Sequence, residues 1–135
     1  MEDLAINPWA VLVAAVANFV IGGLWYSPAL FGKAWMRANN FSADDLKKGS
    51  PAVIFGVSFL FCLIMAANLA GFLSGPDTTL GFAVAAAVAA GLGWAALGLG
   101  VVALFERRPW SYTLINGGYL TVSFAAMGVI LGIWR

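Results

Sequence analysis

Four stretches of the chain, residues 8–26, 51–74, 80–105 and 111–134, contain no Asp, Glu, Lys, Arg or His, and each is 19 residues or longer. At 1.5 Å rise per residue, such runs reach the roughly 30 Å of a bilayer's hydrocarbon core when helical. Inside lipid no water satisfies backbone N–H and C=O groups, so an isolated apolar run must satisfy them within itself, as an α-helix. The expected architecture is therefore all-α: a four-helix transmembrane bundle filling a single integral membrane domain over residues 1–135. Composition agrees, with 62% hydrophobic and 10% charged residues, far from the balance of a soluble globular chain.

The same composition removes several function classes. A formal net charge of +1 is no footprint for nucleic acid. Histidine is absent and Cys62 is the one cysteine, so no His/Cys cluster for zinc, haem or an iron–sulfur centre is available and no cofactor is expected. The first apolar run lies near the N-terminus, but Glu2 and Asp3 stand where a secretory signal carries basic residues, and the run reads as a retained helix.

Helix starts are marked by Asn7-Pro8 and Ser50-Pro51, a capping residue followed by proline at the first helical position. The segment GPDTT (75–79) reads as a tight turn and ERRPW (106–110) as a short linker. With four spans, linkers 27–50 and 106–110 share one side and hold Lys33, Arg37, Lys47, Lys48, Arg107 and Arg108, against Arg135 on the other. Positive charge is retained in the cytoplasm. The expectation is a multi-pass protein of the bacterial inner membrane with both linkers cytoplasmic and both termini outside.

The longer linker begins at a membrane-exit corner formed by Trp25, Tyr26, Ser27 and Pro28. Ser27 is a candidate N-cap with Pro28 opening a helix in which Leu30, Phe31, Ala34, Trp35 and Ala38 share one face and Lys33, Arg37 and Asn40 another. That pattern predicts an interfacial amphipathic helix, apolar face to lipid or bundle and basic face to headgroups. Beyond it, Ser42 and Asp45 have the spacing of a capping box with Asp in place of Glu, and Gly49 is placed to end a short helix before Pro51.

With no ionisable group in any span, ion- or proton-coupled transport loses its usual device. The polarity that remains is amide and hydroxyl. Counted from the inner helix ends, Asn18 and Ser58 lie roughly 10 Å deep and Asn116 roughly 8 Å, so the three form one layer. Asn116 also belongs to a stripe, Tyr112, Asn116, Tyr119 and Ser123, along the fourth span. Asn18 and Asn116 are expected to face the interior and bond to each other, to Ser58 or to backbone. Such a cluster is either interhelical glue or a small ligand cavity closed by the Trp25-Tyr26 corner. Trp94 is expected to fill the volume left by Ala87, Ala90, Gly91 and Gly98, with its indole N–H turned inward.

Ala83, Ala87, Gly91 and Ala95 form a small-residue ladder on the third span, and Gly128 and Gly132 form a GxxxG on the fourth. Either serves internal packing or a homo-oligomer or larger membrane complex. No Ser/His or Cys/His pair exists, and Asp44, Asp45 and Glu106 sit among Lys and Arg in the linkers. An enzyme is therefore not expected.

The segment NPWAVLVAAVANFVIGGLWYSPALFGKAWM resembles the DUF1761 family of small bacterial membrane proteins, through Asn18, Gly22, Trp25, Tyr26, Ser27, Pro28, Phe31, Gly32, Lys33 and Trp35. The resemblance implies a four-helix integral membrane protein and transfers no catalytic residue. The resulting expectation is a non-enzymatic scaffold or accessory subunit among membrane lipids. The alternative is a carrier for a small neutral or lipid-like molecule at Asn18, Asn116, Tyr119 and Trp94.

Overall fold

The computed structural model describes residues 6–134. Glu2, Asp3 and Arg135, which enter the signal and charge readings, lie outside them. Four helices long and apolar enough to cross a membrane run over Pro8–Trp25, Pro51–Phe72, Leu80–Phe105 and Trp110–Ile133. Three of them start on a side-chain cap: Asn7 Oδ1 accepts from the Trp9 N–H at 3.0 Å, Ser50 Oγ from Val53 at 3.3 Å and Thr79 Oγ1 from Phe82 at 3.1 Å.

The fourth span is the centre of the arrangement. It packs against the third along most of its length and against the first, and the first in turn carries the second. The second and third, although joined only by residues 73–79, scarcely touch. The interior is built from small side chains: Ala10, Ala14 and Ala15 on the first span, Cys62, Ala66 and Ala70 on the second, Ala83 and Ala87 on the third, with Met127 filling the middle. Lipid tails are as apolar as leucine, so the drive to associate is close contact rather than escape from solvent. Alanine and glycine supply it.

The two small-residue ladders face each other. A Cβ placed on Gly128 would stand 2.5 Å from that of Ala87, and one on Gly132 would stand 2.9 Å from that of Ala83. The third-span ladder departs from the expectation at its last step. Residues Gly91–Ala96 form a π-helical turn, whose i→i+5 bonding takes in an extra residue. The packed face moves on by one position, so Ala96 is buried against Gly117 while Ala95 is only half-buried.

The corner also differs from its sequence reading. The helix runs over Gly32–Asn39 and does not begin at Pro28. Ser27 Oγ donates to the Leu24 carbonyl at 2.7 Å, satisfying an orphan acceptor at the end of the first span instead of capping a new helix. The Ser27 carbonyl accepts from the N–H groups of Leu30 at 3.0 Å and Gly32 at 2.9 Å, and the chain reverses through residues 27–31. Gly32 is wedged in this reversal, where a Cβ would meet the Tyr26 carbonyl oxygen at 2.5 Å. The short helix packs against the fourth span. Ala38 is buried, while Lys33 and Arg37 are exposed on the other side.

The capping box is present. The Ser42 N–H donates to Asp45 Oδ2 at 2.8 Å and the Asp45 N–H to Ser42 Oγ at 3.3 Å, opening a single turn over Asp45–Lys47. Gly49 follows with φ +84°, a left-handed backbone that glycine adopts without strain.

Candidate functional site

Two features concentrate what polarity the spans contain: a seam between the first and fourth spans, and a groove between the second and third.

The seam begins at Asn18, which is fully buried. Its Oδ1 accepts from the Tyr119 hydroxyl at 2.5 Å, and its Nδ2 stands 4.0 Å from Met127 Sδ. One helical turn nearer the corner, Asn116 Oδ1 accepts from the Tyr26 hydroxyl at 2.5 Å. Asn18 and Asn116 therefore bond to tyrosines of each other's helices, not to each other. The rings of Tyr26 and Tyr119 lie 5.5 Å apart, so the two pairs form one continuous unit.

Glycine makes the approach possible. A Cβ on Gly22 would stand 3.3 Å from the Tyr119 ring, and one on Gly118 would stand 2.9 Å from the Trp25 indole. Lying across Gly118, Trp25 donates its indole N–H to the Ile115 carbonyl at 2.9 Å. Phe31 covers Trp25 at 4.7 Å between ring centroids, and Trp35 meets Tyr26 edge-on at 5.6 Å. The corner is thus an aromatic stack over one end of the seam.

Every hydrogen bond between two spans among the described residues joins the first span, with its corner, to the fourth. The seam holds one buried side-chain oxygen without a hydrogen-bond partner, that of Ser123, which lies between Tyr119 and Met127 on the same face.

Two residues expected in this layer are elsewhere. Ser58 is exposed on the outward side of the second span. Depth counting places it at the right height, but the second span meets the first through Phe59, Cys62 and Ala66, a face centred roughly 70° from Ser58 around the helix. Trp94 is 72% exposed and points away from the bundle. The π-helical turn rotates it off the packed face, and Phe124 takes its anticipated place, because a Cβ on Gly91 would come within 2.6 Å of the Phe124 Cβ.

Trp94 instead stands on the rim of the second feature. Between the second and third spans lies a groove of about 460 Å³, with Asn68 and Phe72 on one wall, Ala89, Ala90 and Trp94 on the other and Phe124 at its floor. It exists because these consecutive spans pack on different partners. The side chains of Asn68 and Trp94 make no hydrogen bond within the described residues. No pattern in the sequence announces the groove, since alanine and phenylalanine in an apolar run are equally at home against lipid or protein.

In the linkers, Lys48 pairs with Asp45 at 3.1 Å and Arg108 with Glu106 at 3.4 Å, while the Arg108 guanidinium also lies 5.3 Å from the Tyr112 ring centre. Lys33, Arg37 and Arg107 are exposed and make no ion pair among the described residues.

Comparison with known families settles one point. The sequence pattern of DUF1761, a family described as proteins of unknown function, matches residues 9–132. The chain belongs to the DUF1761 family. The match covers nearly the whole chain, so the seam, the corner and the groove all lie within the DUF1761 region. No curated protein and no solved structure matches the chain at a significant level.

Proposed function

We propose that this DUF1761 protein is a non-enzymatic scaffold or accessory subunit of a membrane assembly, oriented with its 27–50 and 106–110 linkers in the cytoplasm and both termini outside. The observation that carries the reading is the state of the seam. Its amides and its tyrosine hydroxyls are paired across the first and fourth spans, which leaves them holding the protein together rather than waiting for a ligand. The outward surfaces support it as well: the second span exposes every residue from Pro51 to Ser58, a broad helix face open to neighbours. The orientation rests on the excess of Lys and Arg in the two linkers.

Affinity purification from membranes in mild detergent, followed by native mass spectrometry, tests the scaffold. The expected result is a larger assembly of defined stoichiometry. A chain that always emerges alone, at every detergent strength that keeps it folded, contradicts the proposal. A carrier role is the second reading. It is favoured by the lateral groove at Asn68 and Trp94.

A further inference from the structure

Asn68 is the outlying polar residue of the second span. It is exposed within the groove, and an amide facing hydrocarbon without a partner is costly. Deeper along the opposite wall the Trp94 indole N–H has no hydrogen-bond partner among the described residues. A concave volume of about 460 Å³ falls in the range of small-ligand sites, about 300–1,000 Å³. We propose that the groove binds a lipid-like molecule with one slender apolar chain and a single hydroxyl or carbonyl group, seated with that group at Asn68.

Size selects this occupant over a partner helix. From the height of Asn68 to that of Trp94 the groove runs roughly 15 Å, so its volume of about 460 Å³ leaves it roughly 30 Å² in section. A helix about 10 Å across needs roughly 80 Å², whereas a slender chain fits. Depth selects an amphiphile. Asn68 lies four residues, about 6 Å, from the end of the second span, while Trp94 is about 21 Å along the third span from Leu80 at that same end of the bundle. A chain with its polar group near the interface and its tail directed inward meets Asn68 first and Trp94 deeper. The alanines of the third span leave the channel, Phe72 and Phe124 give it apolar walls, and the π-helical turn places Trp94 on its rim. The site is separate from the seam, and it neither requires nor forbids a scaffold role.

The test uses the intact chain in lipid nanodiscs with a diazirine-bearing farnesol as probe, and labelled residues mapped by mass spectrometry. Expected is saturable labelling within 65–72 and 86–94, displaced by unlabelled farnesol and about tenfold less well by farnesene, which lacks the hydroxyl. Ala89→Phe, on an exposed position, lowers labelling at both segments at least tenfold with the thermal midpoint unchanged. Asn68→Leu abolishes the preference for the alcohol. Labelling that never saturates and spreads evenly over the lipid-facing residues of all four spans overturns the proposal, as does an Asn68→Leu protein that keeps its preference for the alcohol. A second polypeptide crosslinked to these two segments in native membranes overturns it in favour of a helical occupant.

Discussion

Asn18 and Tyr119 form the innermost of the two tyrosine–asparagine pairs, and the energy at stake in each is that of an ordinary interhelical hydrogen bond. In membranes such bonds average about 0.6 kcal/mol and reach about 2 kcal/mol. Tyr119→Phe removes the hydroxyl, leaves the Asn18 amide oxygen buried and unpaired, and is expected to lower stability by about 1–2 kcal/mol in detergent unfolding. Tyr112→Phe, whose hydroxyl makes no hydrogen bond within the described residues, serves as control and should be close to neutral. A double-mutant cycle of Asn18→Leu with Tyr119→Phe should show positive coupling, and additivity would count against the bond. That Asn18 is interior could be read from its type and depth, since an amide in hydrocarbon must be paired. Its partner could not, because Tyr119 and Asn116 lie on one stripe and height alone does not choose between them. Ser58 shows the same limit more plainly: its depth is that of the seam and its direction is not.

Asp45 supplies the titration available outside the spans. The Ser42 N–H, then the Lys48 ammonium, then the Ser42 hydroxyl stabilise its charged form and hold its pKa below the usual carboxylate value. A depressed folded-state pKa means that the carboxylate's contribution is complete above the unfolded value of about 3.9 and is lost as pH falls through the folded one. Carboxyl NMR should show a midpoint below that of a free aspartate, and Ser42→Ala should move it upward. An unshifted midpoint in the parent chain would remove the capping box.

At the scale of the helix, the crossing of the third and fourth spans is the most sensitive contact. A Cβ on Gly128 would have Ala87 at 2.5 Å and the Ala83 carbonyl at 3.0 Å, whereas one on Gly98 meets nothing within 4 Å. Gly128→Ala is therefore expected to cost about 1–3 kcal/mol, and Gly98→Ala to be neutral or slightly stabilising because alanine is the better helix former. Comparing their unfolding midpoints checks the assignment; equal effects would mean the ladders do not face each other. Helix positions were legible from charge-free length and caps, and the ladders from their four-residue spacing. The break in the spacing after Gly91 was not, because a π-helical turn leaves no mark on an apolar sequence: Ala95 and Ala96 are the same residue type, and only the structure shows which is packed. The corner departs from its sequence pattern for a related reason. Ser27-Pro28 fits both a helix start and a chain reversal, and Gly32, which has no room for a side chain, belongs only to the second.

At the scale of the whole molecule, orientation and assembly remain separable questions. A phosphatase fused after residue 135, active only outside the cytoplasm, is expected to be active, and a cytoplasm-only reporter at the same place to be silent; the opposite pattern inverts the topology. Seen together, the four spans are two pairs, first with second and third with fourth, held to each other by the seam. This division has a consequence for biogenesis. A hairpin of the second and third spans, the neighbours that emerge in succession during synthesis, has little contact to stabilise it, so each must wait for its own mate before it is sheltered. Two polypeptides divided within 73–79 and made in the same cell should then find one another, with Asn18, Trp25 and Tyr26 on one fragment recognising the fourth span on the other.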